Sequence, residues 1–166
     1  MSASGLPPFQ RFLDTQRDVV WRYLVSALGS SEAEDCFQET FASALRAYPR
    51  LRPGSDARAW VLTIAHRKAL DAHRARARRA LPLADPAAAA TSDASSSSAH
   101  DDAFSHDAEL WDAVSELPAR QRSAVVLRFV ADLPHRDIAT AIGCSEEAAR
   151  RSLHEGLTRL RKAVEA

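Results

Sequence analysis

Cationic side chains are concentrated in one part of the chain. Residues 48–80 contain nine Lys or Arg against two Asp or Glu, whereas the whole chain has a formal net charge of zero. The end of this segment is densest, at Arg74, Arg76, Arg78 and Arg79. These charges would repel one another on an isolated helix, so they favour an anionic partner such as a nucleic acid; a solvated helix face is the alternative.

A second group of polar side chains follows a short turn near the end of the chain. The turn is Gly143-Cys144-Ser145, in which Gly can adopt the left-handed conformation and Ser can cap the next helix. This spacing is typical of a helix-turn-helix. The helix that follows carries Glu147, Arg150, Arg151 and His154 on its polar face. An Arg there can bind guanine or a phosphate, so DNA reading is favoured over a plain surface helix.

Other side chains give little sign of metal or catalytic chemistry. His66 and His73 are seven residues apart on one predicted helix face, but no cysteine or carboxylate set surrounds them at metal-ligand spacing. Cys36 and Cys144 are far apart and form no CxxC pair, so we expect two reduced thiols. We therefore expect no metal, no cofactor and no catalytic site.

The apolar pattern predicts an all-α protein with two small helical domains joined by a flexible linker. The first domain covers residues 1–80 and the second covers residues 110–166. The segment 81–109 between them is rich in Ala, Ser and Asp, and carries six acidic and no cationic side chains. If its 29 residues were extended they would span at most about 95 Å, and as a relaxed coil roughly 30 Å.

Within the first domain we predict a helix ending near Leu28, a Ser cap in Gly29-Ser30-Ser31, and a second helix from Glu32 to Ala47 that includes Leu45 on its inner face. Its outer face carries Asp35, Gln38 and Glu39, which could be an ordinary solvated surface. Trp60 could stack on a base, but its spacing from Ile64 favours a core position.

Within the second domain, Leu117-Pro118 begins a helix whose buried side we expect to include Val125, Val126, Phe129 and Val130. A further helix starts near Pro134, and the last runs from Glu146 to Val164. The N-terminus has no apolar run after a basic stretch, and no segment has the roughly 18 apolar residues of a membrane span. We therefore expect no membrane segment and a cytoplasmic location.

Three stretches of the chain resemble the extracytoplasmic-function (ECF) sigma factors of bacterial RNA polymerase. AEDCFQETFASALRA is similar to the family's AEDLxQETFxxxxR helix, and DARAWVLTIAHRKALDAHRARARR is similar to its RAWLxxIARNxxLDxxRRxxR. The third stretch, ELPARQRSAVVLRFVADLPHRDIATAIGCSEEAARRSLHEGLTRLR, is similar to LPxxxRxVxxLRxxxGLSxxEIAxxLGxSxGTVxSRLxRARxxLR. The resemblance covers nearly the whole chain outside the linker, and the order and spacing of the stretches make it specific.

This resemblance implies a sigma factor that binds core RNA polymerase, recognises minus-ten and minus-thirty-five promoter elements and initiates transcription. The first domain would be region two and the second would be region four. The partners would be promoter DNA, the beta-prime coiled coil and beta flap of polymerase, and an anti-sigma factor. Asp35, Gln38 and Glu39 would contact polymerase. The minus-ten contacts would come from Arg52, Arg58, His66, Arg67, Lys68, Arg74 and Arg78, and the minus-thirty-five contacts from Glu147, Arg150, Arg151 and His154.

The chain departs from the family pattern at or beside the implied DNA contacts. Arg67 stands where the family usually has Asn, and His154-Glu155-Gly156 replaces a basic run, in which Glu155 would weaken a phosphate contact. These changes leave the promoter sequence open. A DNA-binding regulator acting without polymerase is the leading alternative, although it leaves the first domain unassigned; a helical enzyme or scaffold is the third. We also expect the acidic linker to occupy the basic nucleic-acid channel of polymerase.

Overall fold

The computed structural model describes residues 6–80 and 108–164, and in these ranges the chain forms helices and turns without a strand. The predicted all-α class is therefore confirmed. The elements are α1 (Phe9–Leu28), α2 (Ser30–Ala47), a single 3-10 turn (Tyr48–Arg50), α3 (Ala57–Ala80), α4 (Ala108–Glu116), α5 (Ala119–Phe129), α6 (His135–Ile142) and α7 (Glu146–Val164). Nearly all of the predicted linker lies outside the described residues. No helix in the described ranges is long and apolar enough to cross a membrane.

The first unit is a three-helix bundle in which α1, α2 and α3 pack against one another. Its core includes Val20 and Leu24 of α1, Phe41 of α2 and Leu62 of α3. Trp60 lies in an aromatic cluster at one end of the bundle, where its ring centroid is 5.8 Å from that of Phe12. Trp60 is therefore partly buried and packs against the core, as its spacing predicts.

Two details of α2 differ from the prediction. The helix begins at Ser30, and Gly29 is the residue that precedes it, with a positive φ of 81° and no side-chain cap. Because the Gly29 carbonyl accepts the N–H of Ala33, the predicted Ser cap is wrong: Ser30 and Ser31 already belong to the first turn. Leu45 is 54% exposed, so its predicted place on the inner face is also wrong.

The second unit packs α4, α5 and α6 around the long helix α7. Leu127, Leu133 and Ile138 are almost fully buried at its centre. Gly156 marks a close approach of α7 to α5, since a Cβ atom there would lie 2.9 Å from Val125 Cγ2. The helix α4 was not predicted.

The two units also contact each other. α3 packs against α6, and α1 packs against α4 and α5. Arg58 at the start of α3 donates from Nη1 to the Ala131 carbonyl oxygen at 3.3 Å. The helices of the basic segment and the helix-turn-helix are thus neighbours in this structure.

Candidate nucleic-acid interface

The helix α3 displays most of the predicted minus-ten residues. Asp56 caps it, since its Oδ1 accepts the N–H of Ala59 at 3.0 Å. Arg67, Arg74 and Arg78 are exposed along its length. Arg74 Nη1 lies 3.4 Å from Asp71 Oδ1, and both side chains are exposed. A surface ion pair of this kind contributes little to the free energy of folding. These guanidinium groups can therefore bind phosphate with little loss of existing contacts.

His66 differs from the other predicted minus-ten residues because it is buried, with 5% of its surface exposed. Its Nδ1 is hydrogen-bonded to the Tyr23 hydroxyl at 2.7 Å. Burial, together with the charges of Arg67 and His73, lowers the pKa of His66 to about 4. The ring is neutral at pH 7 and faces the interior, so in this arrangement it is not available to DNA; its predicted role stays a prediction.

Arg52, Arg58 and Lys68 complete the predicted minus-ten set. Arg58 is half-buried, and its guanidinium donates to the Ala131 carbonyl oxygen. Arg52 is exposed in the segment between the 3-10 turn and α3. Lys68 Nζ lies 3.3 Å from Glu39 Oε2 on α2. This ion pair joins a predicted DNA residue to a predicted polymerase residue.

The predicted polymerase surface lies on the outside of α2. Asp35, Gln38 and Glu39 are all exposed, while Cys36 and Thr40 of the same helix are buried. The three side chains share one face because they are spaced by three and four residues. The surface is therefore a compact acidic patch that a cationic partner can reach.

The turn between α6 and α7 has the predicted geometry. Gly143 ends α6 in the left-handed conformation with φ of 69°. Ser145 caps α7, since its Oγ accepts the N–H of Ala148 at 3.2 Å. These two features confirm the roles predicted for Gly143 and Ser145.

The first turns of α7 carry the predicted minus-thirty-five residues, and all four are exposed. Arg150 pairs with Glu146, and Arg151 Nη2 lies 3.5 Å from Glu147 Oε1. Each pair joins residues four positions apart and holds a guanidinium along the helix surface. Glu155, which could have opposed a phosphate, instead accepts a hydrogen bond from Gln121 Nε2 at 2.9 Å, which directs its carboxylate towards α5.

Sequence reasoning missed an apolar cleft of about 650 Å³ on the second unit. Its walls come from α4, α5 and α7 and include Leu110, Trp111, Val130 and Leu160, with Arg161 among the lining residues. Phe129 also lines it and is 64% exposed, so the prediction that Phe129 is buried is wrong. The spacing of Leu110, Trp111, Val114 and Leu117 was the available signal for α4 and for this cleft.

Comparison with known proteins gives matches in both units. The family model of sigma-70 region 2 matches residues 12–79, and that of sigma-70 region 4 matches residues 107–160. The ECF RNA polymerase sigma factor SigD of Mycobacterium tuberculosis is 33% identical over 161 residues, which cover 93% of this chain and 76% of SigD. RNA polymerase sigma factor CarQ of Myxococcus xanthus is 36% identical over 139 residues, covering 78% of this chain and 73% of CarQ.

A solved structure supports the fold. The sigma factor RpoE in complex with the anti-sigma factor NepR from Bartonella quintana superposes with a TM-score of 0.76 at 21% identity, covering 95% of this chain and 97% of that one. The chain belongs to the ECF group of sigma-70 RNA polymerase sigma factors. Its α1–α3 unit carries region two and its α4–α7 unit carries region four, and its role in the cell is transcription initiation.

Proposed function

We propose that this chain binds core RNA polymerase in the cytoplasm and directs it to promoters with minus-ten and minus-thirty-five elements, without a catalytic site of its own. The observation that carries the proposal is the combination of an exposed cationic face on α3, an exposed helix-turn-helix whose α7 presents Arg150 and Arg151, and an acidic patch on α2. A regulator that binds DNA alone needs only the helix-turn-helix. A sigma factor uses all three surfaces.

The exposed cations of α3 are assigned to the minus-ten element. Arg67, Arg74 and Arg78 share one face of α3 because they are spaced by seven and four residues, and with the exposed Arg52 they can follow the backbone of a separated strand. Arg58, Lys68 and His66 have partners within the chain and join this surface only when those partners are released. Opening of the duplex then depends on phosphate contacts that the exposed arginines make first.

The helix α7 is assigned to the minus-thirty-five element. Its N-terminal turns, which follow the Gly143–Ser145 turn, are the part of a helix-turn-helix that enters the major groove. Arg150 and Arg151 can bind guanine or phosphate, and Glu147 can accept from a cytosine amino group. His154 lies one turn further along the same face.

Two surfaces are assigned to polymerase. The acidic patch of Asp35, Gln38 and Glu39 suits the basic beta-prime coiled coil, because the charges are opposite. The apolar cleft beside Phe129 suits an apolar helix of the beta flap, because an amphipathic helix buries its apolar side in such a groove. An anti-sigma factor is assigned as a third partner, since the similar RpoE structure is a complex with one.

The test is transcription in vitro with purified core polymerase, a pool of promoter fragments and this protein as the only added factor. We expect specific starts with the unaltered chain. The double variant Asp35→Lys and Glu39→Lys should lose association with core polymerase, by at least tenfold in Kd, because like charges then oppose each other. Fluorescence anisotropy of the labelled protein measures that association.

The matched control is Asp14→Lys with Asp18→Lys, which makes the same charge change at exposed positions on a different helix, α1. This control should associate normally. Unchanged polymerase binding by the Asp35 and Glu39 double variant would show that the patch is ordinary surface. Absence of starts, combined with DNA binding by the protein alone, would favour a regulator.

A further inference from the structure

A polar cleft of about 370 Å³ lies between α3 and the C-terminal end of α6. Pockets that hold small molecules commonly have volumes of about 300–1,000 Å³, so this cleft is large enough for one. One wall is a single face of α3, where residues at helical spacing line the cleft: Arg67, Leu70, Asp71 and Arg74. The other wall is formed by residues 140–143.

Arg67 and Arg74 supply the positive charge of the cleft. Both side chains are exposed, and Arg67 makes no hydrogen bond or ion pair within the described residues. Seven residues separate the two arginines, which is about 10 Å along the helix axis. An anion that extends over two or more phosphate groups therefore suits this pair better than a single phosphate does.

The wall opposite the arginines offers hydrogen-bond acceptors. The N–H groups of Gly143 and Cys144 both donate to the Ala139 carbonyl oxygen. The carbonyl groups of residues 140–142, which follow Ala139 at the end of α6, have no partner within the helix. Asp71 adds a carboxylate, which can accept two hydrogen bonds side by side. A ligand that fits both walls carries hydrogen-bond donors as well as negative charge.

A nucleotide with several phosphates has both kinds of group. Its phosphates form charge-assisted hydrogen bonds with guanidinium groups, and its ribose hydroxyls and base N–H groups donate to oxygen atoms. Guanine presents two adjacent donors, N1–H and the N2 amino group, to a carboxylate such as that of Asp71, whereas adenine presents only its N6 amino group. Leu70 and Ile142 are half-buried and provide apolar surface for the face of the base.

We propose that the cleft between α3 and α6 binds a guanine nucleotide with two or three phosphates, which Arg67 and Arg74 hold and Asp71 selects. The site itself follows from the cleft alone. One consequence rests on the proposed function: the nucleotide and the promoter strand compete for the same two arginines. Because Arg67 stands where the family usually has Asn, the site is a feature of this chain.

The first test is isothermal titration calorimetry of the full-length chain with GTP, ATP and pyrophosphate. GTP should bind about tenfold more tightly than ATP or pyrophosphate, because a bidentate hydrogen-bonded pair commonly gives discrimination of this size. Equal affinity for the three compounds would show attraction of anions only and would overturn the guanine site. Absence of GTP binding would overturn the site altogether.

Three variants test the assigned residues. Arg67→Asn restores the usual family residue and should weaken GTP binding at least about tenfold, because a charge-assisted hydrogen bond is lost. Arg76→Asn removes the same charge from an exposed position on the opposite side of α3 and should bind GTP normally. Asp71→Asn should bring the affinities for GTP and ATP close together, which a loss of folding would not do.

Circular dichroism establishes that the three variants fold. An equal loss of GTP binding in the Arg67 and Arg76 variants would indicate unspecific attraction to the basic helix and would overturn the site. Amide chemical shifts of the unaltered chain, measured by NMR at saturating GTP, should change at residues 67–74 and also at residues 140–143. Changes confined to α3 would overturn a site with two walls.

The consequence for DNA is tested separately with a labelled single-stranded promoter oligonucleotide. Saturating GTP should weaken its binding to the unaltered chain several-fold and should have a smaller effect on Arg67→Asn. Fluorescence anisotropy measures this affinity without polymerase. Binding of GTP without any competition would leave the nucleotide site standing and would contradict the minus-ten role proposed for Arg67 and Arg74.

Discussion

At the residue scale, His66 shows how position changes the chemistry of a side chain. The sequence places it among cations in a predicted DNA-binding segment, yet it is buried and bonded to Tyr23. Its pKa is lowered to about 4, mainly by burial and also by Arg67 and His73. A neutral imidazole is therefore part of the folded protein at neutral pH.

The stability of the chain should consequently fall as pH is lowered from about 6.5 to about 4. In that window the unfolded chain binds a proton on His66 and the folded chain does not, so the unfolded state gains stability. The contribution of His66 is about 3 kcal/mol at most, with a slope of about 1.4 kcal/mol per pH unit. Urea unfolding at several pH values measures it.

The comparison variant is His66→Gln, which does not titrate in this range. Its free energy of unfolding should depend less steeply on pH than that of the unaltered chain. The carboxylates contribute equally to both proteins, so the difference isolates His66. Parallel pH profiles would show that the imidazole keeps its ordinary pKa.

The exposed cations at the end of α3 lead to a second prediction at this scale. Arg74→Gln with Arg78→Gln should weaken promoter opening and reduce the slope of log K against log salt by about 2, because each phosphate contact contributes about 1. Polymerase binding should be nearly unchanged. Permanganate footprinting at several salt concentrations measures opening.

Arg17→Gln with Arg22→Gln is the matched control, since both residues are exposed cations on α1. It removes the same charge from a helix that carries none of the predicted contacts. An equal loss of promoter opening and polymerase binding in the Arg74 and Arg78 variant would indicate misfolding. An unchanged salt slope would place the two arginines outside the DNA contact.

At the element scale, the packing of α7 on α5 depends on the absence of a side chain at Gly156. A Cβ there would lie 2.9 Å from Val125 Cγ2 and 3.4 Å from the Gln121 carbonyl oxygen. Gly156→Leu should therefore destabilise the second unit by about 2 kcal/mol, although Leu is the better helix former. Chemical denaturation followed by circular dichroism measures the change.

Ala163→Leu is the control for this prediction, because Ala163 is exposed on the same helix. It should change the free energy of unfolding by less than about 0.5 kcal/mol. A Gly156→Leu variant as stable as the unaltered chain would mean that α5 and α7 can separate without cost. The close approach would then not limit the side chain at position 156.

The elements differ in how far the sequence could predict them. The bounds of α7 were predicted correctly because Ala149, Leu153, Leu157 and Leu160 repeat at helical spacing after a clear Gly and Ser boundary. The helix α4 was missed because it directly follows a stretch of Ala, Ser and Asp without a stop signal. Phe129 was misplaced because periodicity marks an apolar face without showing whether a neighbour covers it.

At the scale of the whole molecule, the family and the two helical units could be predicted, but the contact between the units could not. Its bonds join Arg58 and Arg122 to backbone carbonyl oxygens, which every residue has, so no residue type marks the partner. The burial of His66 and the Lys68–Glu39 pair also depend on how α3 lies against α1 and α2.

The segment between the units leads to a prediction for the complete protein. Residues 81–107 contain five Asp and no Lys or Arg. If this acidic segment occupies the basic channel of polymerase, replacing it by neutral Gly and Ser of equal length should lower transcription initiation several-fold, because the electrostatic attraction is lost. Runoff transcription measures initiation, and binding of core polymerase through the acidic patch should persist.

A shuffled segment of the same composition is the control and should initiate normally, since it keeps both charge and length. Equal initiation by the neutral and acidic segments would show that residues 81–107 act only as a tether. The separation between the units would then be the one property of the segment that matters.

If Glu39 binds polymerase and Lys68 binds DNA, as proposed, then the ion pair between them couples the two binding events. In the free protein the Lys68 ammonium and the Glu39 carboxylate lie 3.3 Å apart and form an ion pair. When a cation of polymerase binds the Glu39 carboxylate, the Lys68 ammonium loses its partner and can bind a phosphate. Conversely, when a phosphate binds Lys68, the Glu39 carboxylate can bind polymerase. Each ligand would then raise the affinity for the other by the same factor, and that factor is at most about fivefold because an exposed ion pair contributes about 1 kcal/mol or less. Under the proposed function, the pair makes binding of polymerase and of promoter DNA weakly cooperative.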